Sequence, residues 1–98
     1  MSANRSDVFS VPGMRRFLIT RTFPAGALDG VDAGVKKTVN DNNRAVDVTW
    51  ERSYANADKT RTFCIYHGPS EAAVREAAKR NNLPVDTVTE IPVTLLPV

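Results

Sequence analysis

The chain has 98 residues, which is the size of one small domain. Its hydrophobic share of 42% is ordinary for a globular protein, and 13 basic against 11 acidic residues leave a net charge of only +2. The basic pairs Arg15-Arg16, Lys36-Lys37 and Lys79-Arg80 fall on different predicted elements. Without one concentrated basic face, the sequence does not predict a nucleic-acid-binding protein.

Residues 1–14 are polar and contain a Pro-Gly break. They lack the apolar region of a signal peptide, and no later run approaches the length of a membrane span, so we predict no membrane partner. We interpret them as a flexible tail that precedes a single domain at residues 15–98. Cys64 is the only cysteine, which excludes an intrachain disulfide and fits a cytoplasmic location.

The first strand is predicted at residues 15–23, where Phe, Ile and Arg alternate with polar or smaller side chains, and Pro24 ends it. A helix follows at residues 31–44, with Asp29 as its expected N-cap. Its apolar positions recur at helical spacing, and we expect this stripe to pack on a sheet. The stripe consists of Val31, Val35 and Val39.

A hairpin is predicted next, with strands at residues 47–55 and 60–67 around the polar turn 56–59. Simple alternation places Trp50, Arg52 and Tyr54 on one face of the first of these strands. The two aromatic residues are then expected to be core or dimer-interface residues.

Ser70 is a suitable cap for a second, alanine-rich helix at residues 71–81. Asn82 can end this helix in a left-handed conformation, and Pro84 prevents its continuation. The last strand is predicted at residues 87–94, and Pro92 favours a place at the sheet edge.

The resulting order, βαββαβ, predicts an α+β protein of the ferredoxin-like type. Its four strands form one antiparallel sheet, and both helices cover the same face. The second face carries apolar as well as polar side chains, and a large apolar surface is unfavourable in water. We therefore expect a homodimer in which two sheets face each other, as in a dimeric α+β barrel.

Several side chains in this pattern could carry chemistry. Cys64 and Tyr66 share a strand face and would suit a ligand pocket, although a buried structural cysteine is the more common case. Arg21 and Arg52 lie on otherwise apolar strands, either as members of structural ion pairs or as anion-binding groups in a cavity. The acidic counterparts available to them are Glu51 and Glu90.

His67, the only histidine, ends the third strand. The alternatives for it are a solvated surface residue or a metal ligand. As a ligand it needs further donors, and the candidates are Glu51, Glu90, Cys64 or groups from a second subunit.

Residues 15–93 resemble a family of small bacterial domains that is labelled nickel-binding. The first strand, residues 16–24, is similar to that of the family. The other matching positions are Arg52-Ser53-Tyr54, Asp58, Thr62-Phe63-Cys64, Tyr66, Pro69, Arg75-Glu76, Pro84 and Glu90. The resemblance implies a dimeric α+β barrel and makes nickel the candidate cofactor.

One departure from the family bears on the metal. Family members commonly carry a histidine after the Arg-Glu of the second helix, and this chain has Ala77 there. Imidazole is a good nickel ligand, so its loss weakens the prediction of a metal site at this helix. The remaining candidate ligands are His67, Glu51 and Glu90.

Three functions stay open at this point. The first is a homodimeric protein that binds nickel, another transition metal or a small ligand. The second, by fold analogy alone, is a cofactor-free enzyme of the monooxygenase or isomerase kind acting in the barrel cavity. The third is an RNA-recognition module, which is disfavoured because residues 59–66 lack the expected glycine and one platform aromatic. The cavity groups of the ligand-binding and enzyme readings are Arg21, Arg52, Tyr54, Cys64, Tyr66 and Glu90.

Overall fold

The computed structural model describes residues 13–98, so nearly all of the expected N-terminal tail lies outside the described residues. Six elements follow in the predicted order, βαββαβ. They are β1 (Arg15–Thr22), α1 (Ala33–Arg44), β2 (Thr49–Ala55), β3 (Arg61–Gly68), α2 (Glu71–Arg80) and β4 (Thr87–Glu90). Within these residues, neither helix is long and apolar enough to cross a membrane.

The strands form one antiparallel sheet in the order β2-β3-β1-β4. The ferredoxin-like α+β fold is thereby confirmed. In the sheet centre, Ile19 of β1 lies opposite Cys64 of β3, and Leu18 lies opposite Ile65. Because side chains alternate along a strand, these two pairs point to opposite faces. We call the face of Ile19 and Cys64 the helix face and the face of Leu18 and Ile65 the open face.

The hydrophobic core lies between the helix face and the helices. Phe17 and Ile19 are 1% and 0% exposed, and they pack in one cluster with Val74 and Ala77 of α2. Gly68 permits this close packing, since a Cβ there would approach the Cγ2 atoms of Val48 and Val74 to within 3.1 and 3.2 Å. Gly68 and the small residues of α2 together let this helix lie close to the sheet.

The helix ends follow the capping rules, with one correction. Asp32, not Asp29, caps α1, and its Oδ1 accepts a hydrogen bond of 2.9 Å from the Val35 amide. The predicted start at residue 31 was too early because the chain forms turns through Gly30 instead. Ser70 caps α2 as predicted, and Asn82 adopts the predicted left-handed conformation at φ 55°.

A β-bulge between Trp50 and Arg52 overturns the prediction for β2. Before the bulge, Trp50 pairs with Tyr66 on the helix face. After the bulge, Arg52 pairs with Ile65 and Tyr54 pairs with Phe63, so both lie on the open face. The extra residue at the bulge, Glu51, shifts the alternation by one position, which a simple period of two does not foresee. Trp50 packs against the core cluster and is therefore not a candidate for a sheet-to-sheet interface.

The last strand is shorter than predicted and ends at Glu90. Ile91 still donates a backbone hydrogen bond to Arg16, but Pro92 has no N–H to continue the ladder. The following segment is apolar and exposed. Its exposed side chains are Val93, Leu95, Leu96 and Val98.

Candidate functional site

The open face carries a cluster of charged side chains around Glu51. Nε2 of His67 donates a hydrogen bond of 2.7 Å to Oε1 of Glu51. Arg16 contacts both carboxylate oxygens, at 3.2 and 3.3 Å, and Nε of Arg52 lies 3.4 Å from Oε2. The β2 bulge positions Glu51 for these contacts at the ends of β1 and β3. We call these four residues the Glu51 cluster.

The cluster is only partly accessible to water. The side chain of Glu51 is 11% exposed and His67 is 6% exposed, so the solvated surface histidine considered above is excluded. Burial by itself raises the pKa of Glu51, but the hydrogen bonds from Arg16 and His67 outweigh it and the pKa lies below the usual value. Glu51 is therefore an anion at neutral pH, held by three donors.

Acid should weaken the protein through this carboxylate. Since the folded-state pKa of Glu51 is lowered, its stabilising effect is complete above the usual pKa of about 4.5 and is lost as the pH falls below it. We expect Glu51→Gln to cost about 1–3 kcal/mol at pH 7 and clearly less near pH 3, because the variant lacks the titrating group. Urea unfolding midpoints at both pH values measure this difference, and an equal loss at both would contradict it.

As a metal site, the cluster of one protomer is incomplete. Among residues 13–98, no group of three or more His, Cys, Asp or Glu side chains is close enough to hold a metal ion. Glu90 lies opposite Phe17 in the sheet register and so belongs to the helix face, where Arg15 binds its carboxylate at 2.6 and 3.0 Å. Cys64 points to the helix face. The structure thus brings together only two of the candidate ligands, His67 and Glu51.

Ala77, at the position of the family histidine, lies in the core of α2 at 0% exposure. It packs in the cluster that contains Phe17 and Val74. A buried alanine offers no donor atom, so the helix contributes no metal ligand at this position.

A second candidate site lies on the other side of the sheet, between the helix face and α1. A cleft of about 430 Å³ opens there, and we call it the α1 cleft. Its sheet wall includes Arg21, Cys64 and Tyr66, and its helix wall includes Val35 and Val39. The other lining residues are Phe23, Leu28, Val31, Lys36, Trp50, Ser53, Tyr54, Ala55, Lys59, Thr62 and Leu83.

Arg21 is the unusual group in this cleft. It is 2% exposed, and its guanidinium carbon lies 5.6 Å from the centre of the Tyr66 ring. Nη1 donates a hydrogen bond of 2.7 Å to the carbonyl of Pro84, whereas Nη2 is buried without a hydrogen-bond partner in residues 13–98. No carboxylate in this part of the chain pairs with it, so the structural ion pair considered for Arg21 is not formed.

Tyr66 adds a buried hydroxyl beside Arg21. Burial raises the pKa of Tyr66, and the nearby positive charge of Arg21 only partly opposes this effect. The hydroxyl is therefore neutral at physiological pH and is a hydrogen-bond donor. Together, Arg21 and Tyr66 provide buried polar groups in a cleft whose lining is mostly apolar.

The expected cavity groups divide between the two sides of the sheet. Arg21, Cys64 and Tyr66 line the α1 cleft from the helix face. Tyr54 also borders the cleft, but it belongs to the open-face register, and its hydroxyl accepts a hydrogen bond from Arg52. Arg52 belongs to the Glu51 cluster, and Glu90 pairs with Arg15. The acid–base set expected for a cofactor-free enzyme is thus not gathered at one place.

Two charged lining residues were not among the predicted cavity groups, Lys36 and Lys59. Lys59 has φ 58° in the hairpin turn, where Asp58 accepts hydrogen bonds from Thr60. The sequence signals a turn there but not which cleft the turn borders.

Comparisons with protein-family models and with solved structures both find a match to this chain. A family model described as nickel responsive protein SCO4226-like matches residues 17–91. The crystal structure of SCO4226 from Streptomyces coelicolor A3(2) superposes with a TM-score of 0.64 at 18% sequence identity. The match covers 82% of this chain and 99% of that chain, and at this identity it supports the fold alone. A search of curated proteins finds no match.

Proposed function

This chain belongs to the SCO4226-like family of nickel-responsive proteins, and we propose that it is a homodimer that binds nickel or another transition metal ion between its two open faces. The contact between His67 and Glu51 carries this proposal. It is the place in the described chain where an imidazole and a carboxylate meet, and both ligand types suit a divalent transition metal.

The open face supports the dimer. Its central side chains are apolar and, in a single protomer, no other layer covers them. They are Leu18, Phe63, Ile65 and Ile91, with Tyr54 at the β2 edge. Ile65 is already buried at 8% exposure, whereas Leu18, Phe63 and Ile91 are half-buried and Tyr54 is 57% exposed. A second copy packed against this face would remove the remaining apolar surface from water. The exposed apolar segment that follows β4 would also gain from contact with a second copy.

The donor set requires the second copy. Nε2 of His67 and Oε1 of Glu51 lie 2.7 Å apart, close to the separation of about 3 Å between two adjacent ligands of one metal ion. Two donors make a weak site, while two protomers supply four. Arg16 and Arg52 oppose a cation at Glu51, so the metal must compete with them for the carboxylate.

Native mass spectrometry at neutral pH with and without NiCl₂ tests this proposal. We expect a dimer that takes up nickel and that loses it in His67→Ala. Glu90→Ala is the matched control, because this carboxylate pairs with the exposed Arg15 and should not affect uptake. Arg16→Gln should tighten nickel binding by removing a competing cation.

The outcomes are separable. A dimer without nickel uptake would refute the metal site and leave the dimer standing. A monomer at all concentrations would refute both. Nickel retained by His67→Ala but lost by Glu90→Ala would place the metal elsewhere.

A further inference from the structure

The α1 cleft and the Glu51 cluster, which is the proposed metal site, lie on opposite faces of the sheet. We propose that this cleft is a second binding site, for an organic carboxylate with an apolar body. The carboxylate binds the buried residues Arg21 and Tyr66, and the apolar body lies between the sheet and the valines of α1.

The first argument is the unsatisfied cation. A buried charge is costly unless it is paired, and Arg21 has neither a carboxylate partner nor a hydrogen bond at Nη2 within residues 13–98. Nη1 is already held by the Pro84 carbonyl, and the guanidinium rests on the Tyr66 ring. The group is therefore held in place beside the cleft, with one buried nitrogen, Nη2, that has no hydrogen-bond partner in the described residues. An anion that accepts from Nη2 would satisfy this nitrogen, and the Tyr66 hydroxyl beside it can donate to the same anion.

The second argument is the shape and composition of the cleft. Its volume of about 430 Å³ falls in the usual range for small-molecule sites. Val31 and Val35, which the helical period predicts to be buried, remain 40% and 42% exposed along it. Phe23, Leu28 and Trp50 extend the same apolar lining. A ligand body that covers these side chains must itself be apolar, which disfavours inorganic phosphate or sulfate.

The third argument is the sign of the charge. The lining includes three cations, Arg21, Lys36 and Lys59, and no Asp or Glu among the described residues. A cleft with one sign of charge and apolar walls attracts the opposite charge. A guanidinium also matches the geometry of a carboxylate better than that of a neutral hydroxyl.

Trp50 makes the test direct, because it lines the cleft and is the only tryptophan of the chain. Fluorescence titration of the full-length protein with decanoate and with 1-decanol compares two probes that differ in the head group. We expect decanoate to bind about 10- to 100-fold more tightly than decanol at pH 7, since a hydrogen bond to a charged group is worth about 1.5–3 kcal/mol. Equal binding of the two probes, or no binding of either, would overturn the proposal.

Two variants test whether decanoate binds at Arg21. Arg21→Met should weaken decanoate binding about 10-fold or more while changing decanol binding little. Arg61→Met is the matched control, because Arg61 lies on the same sheet but is exposed and outside the cleft lining. Unchanged decanoate binding in Arg21→Met would overturn the role of the guanidinium.

A second variant keeps the test valid if Arg21→Met does not fold. Val35→Trp fills the cleft from an exposed helix position, so the fold should persist. We expect it to abolish binding of both probes, and undiminished decanoate binding would place the site elsewhere. Neither variant changes the Glu51 cluster, so failure here is distinguishable from failure of the metal proposal.

Discussion

Phe17→Ala should destabilise the protomer by about 3–5 kcal/mol. The ring is 1% exposed and packs at the centre of the helix-face core with Ile19 and Val74. Its neighbours are held on two paired strands and a capped helix, so they cannot collapse into the space that the ring leaves. The cost therefore includes both the lost burial and a cavity. This is a large share of the stability of a 98-residue domain.

Urea unfolding monitored by circular dichroism measures this loss. Val35→Ala is the comparison, because that valine is 42% exposed and alanine favours a helix, so we expect a change below about 1 kcal/mol. Both variants must be compared at one protein concentration, since dimerisation would couple stability to concentration. A Phe17→Ala protein as stable as Val35→Ala would mean that the helix-face core contributes little to folding.

The fold was predictable because each element is marked locally. Ser70 and Asn82 bound the second helix, and the polar turn before Thr60 separates the hairpin strands. Errors in the bounds of α1 and β4 amount to a few residues and arise where Asp29, Asp32 and Pro92 offer competing stop and start signals. Such choices depend on tertiary packing rather than on the local sequence.

The sites were less predictable, and the β2 bulge gives one reason. A bulge inserts one residue and reverses the face of everything after it. The sequence therefore grouped Arg52 with Trp50, whereas the structure places Arg52 beside Glu51 on the open face. The pairing of His67 with Glu51 depends on the same inserted residue, although both were among the candidate ligands.

The α1 cleft gives the second reason. The spacing of Val31, Val35 and Val39 indicates which side of the helix faces the sheet. It does not indicate how far the helix lies from the sheet. The structure leaves space there, and Arg21 lines that space without a counter-ion in the described chain. A sequence shows that a cation stands among apolar residues, while only the packing shows whether a carboxylate reaches it.

Leu18→Glu should convert the proposed dimer into a folded monomer. Leu18 lies next to Phe17 in β1 but points to the opposite face, where it pairs with Ile65 and Thr89 at the sheet centre. It is half-buried in a protomer, so a glutamate there can still reach water when the partner is absent. In the dimer, the same carboxylate would be buried opposite an apolar surface with no partner, which costs several kcal/mol.

Sedimentation velocity over a concentration series measures the result, and we expect the dimer Kd to rise about 100-fold or more. Val35→Glu is the control, because it places the same charge on the helix side and should leave the dimer intact. A Leu18→Glu protein that dimerises like the wild type would exclude the open face as the interface. If the metal site needs both copies, Leu18→Glu should also lose nickel although His67 and Glu51 are unchanged, whereas decanoate binding in the α1 cleft should persist. That combination would separate the functions of the two faces of the sheet in one variant.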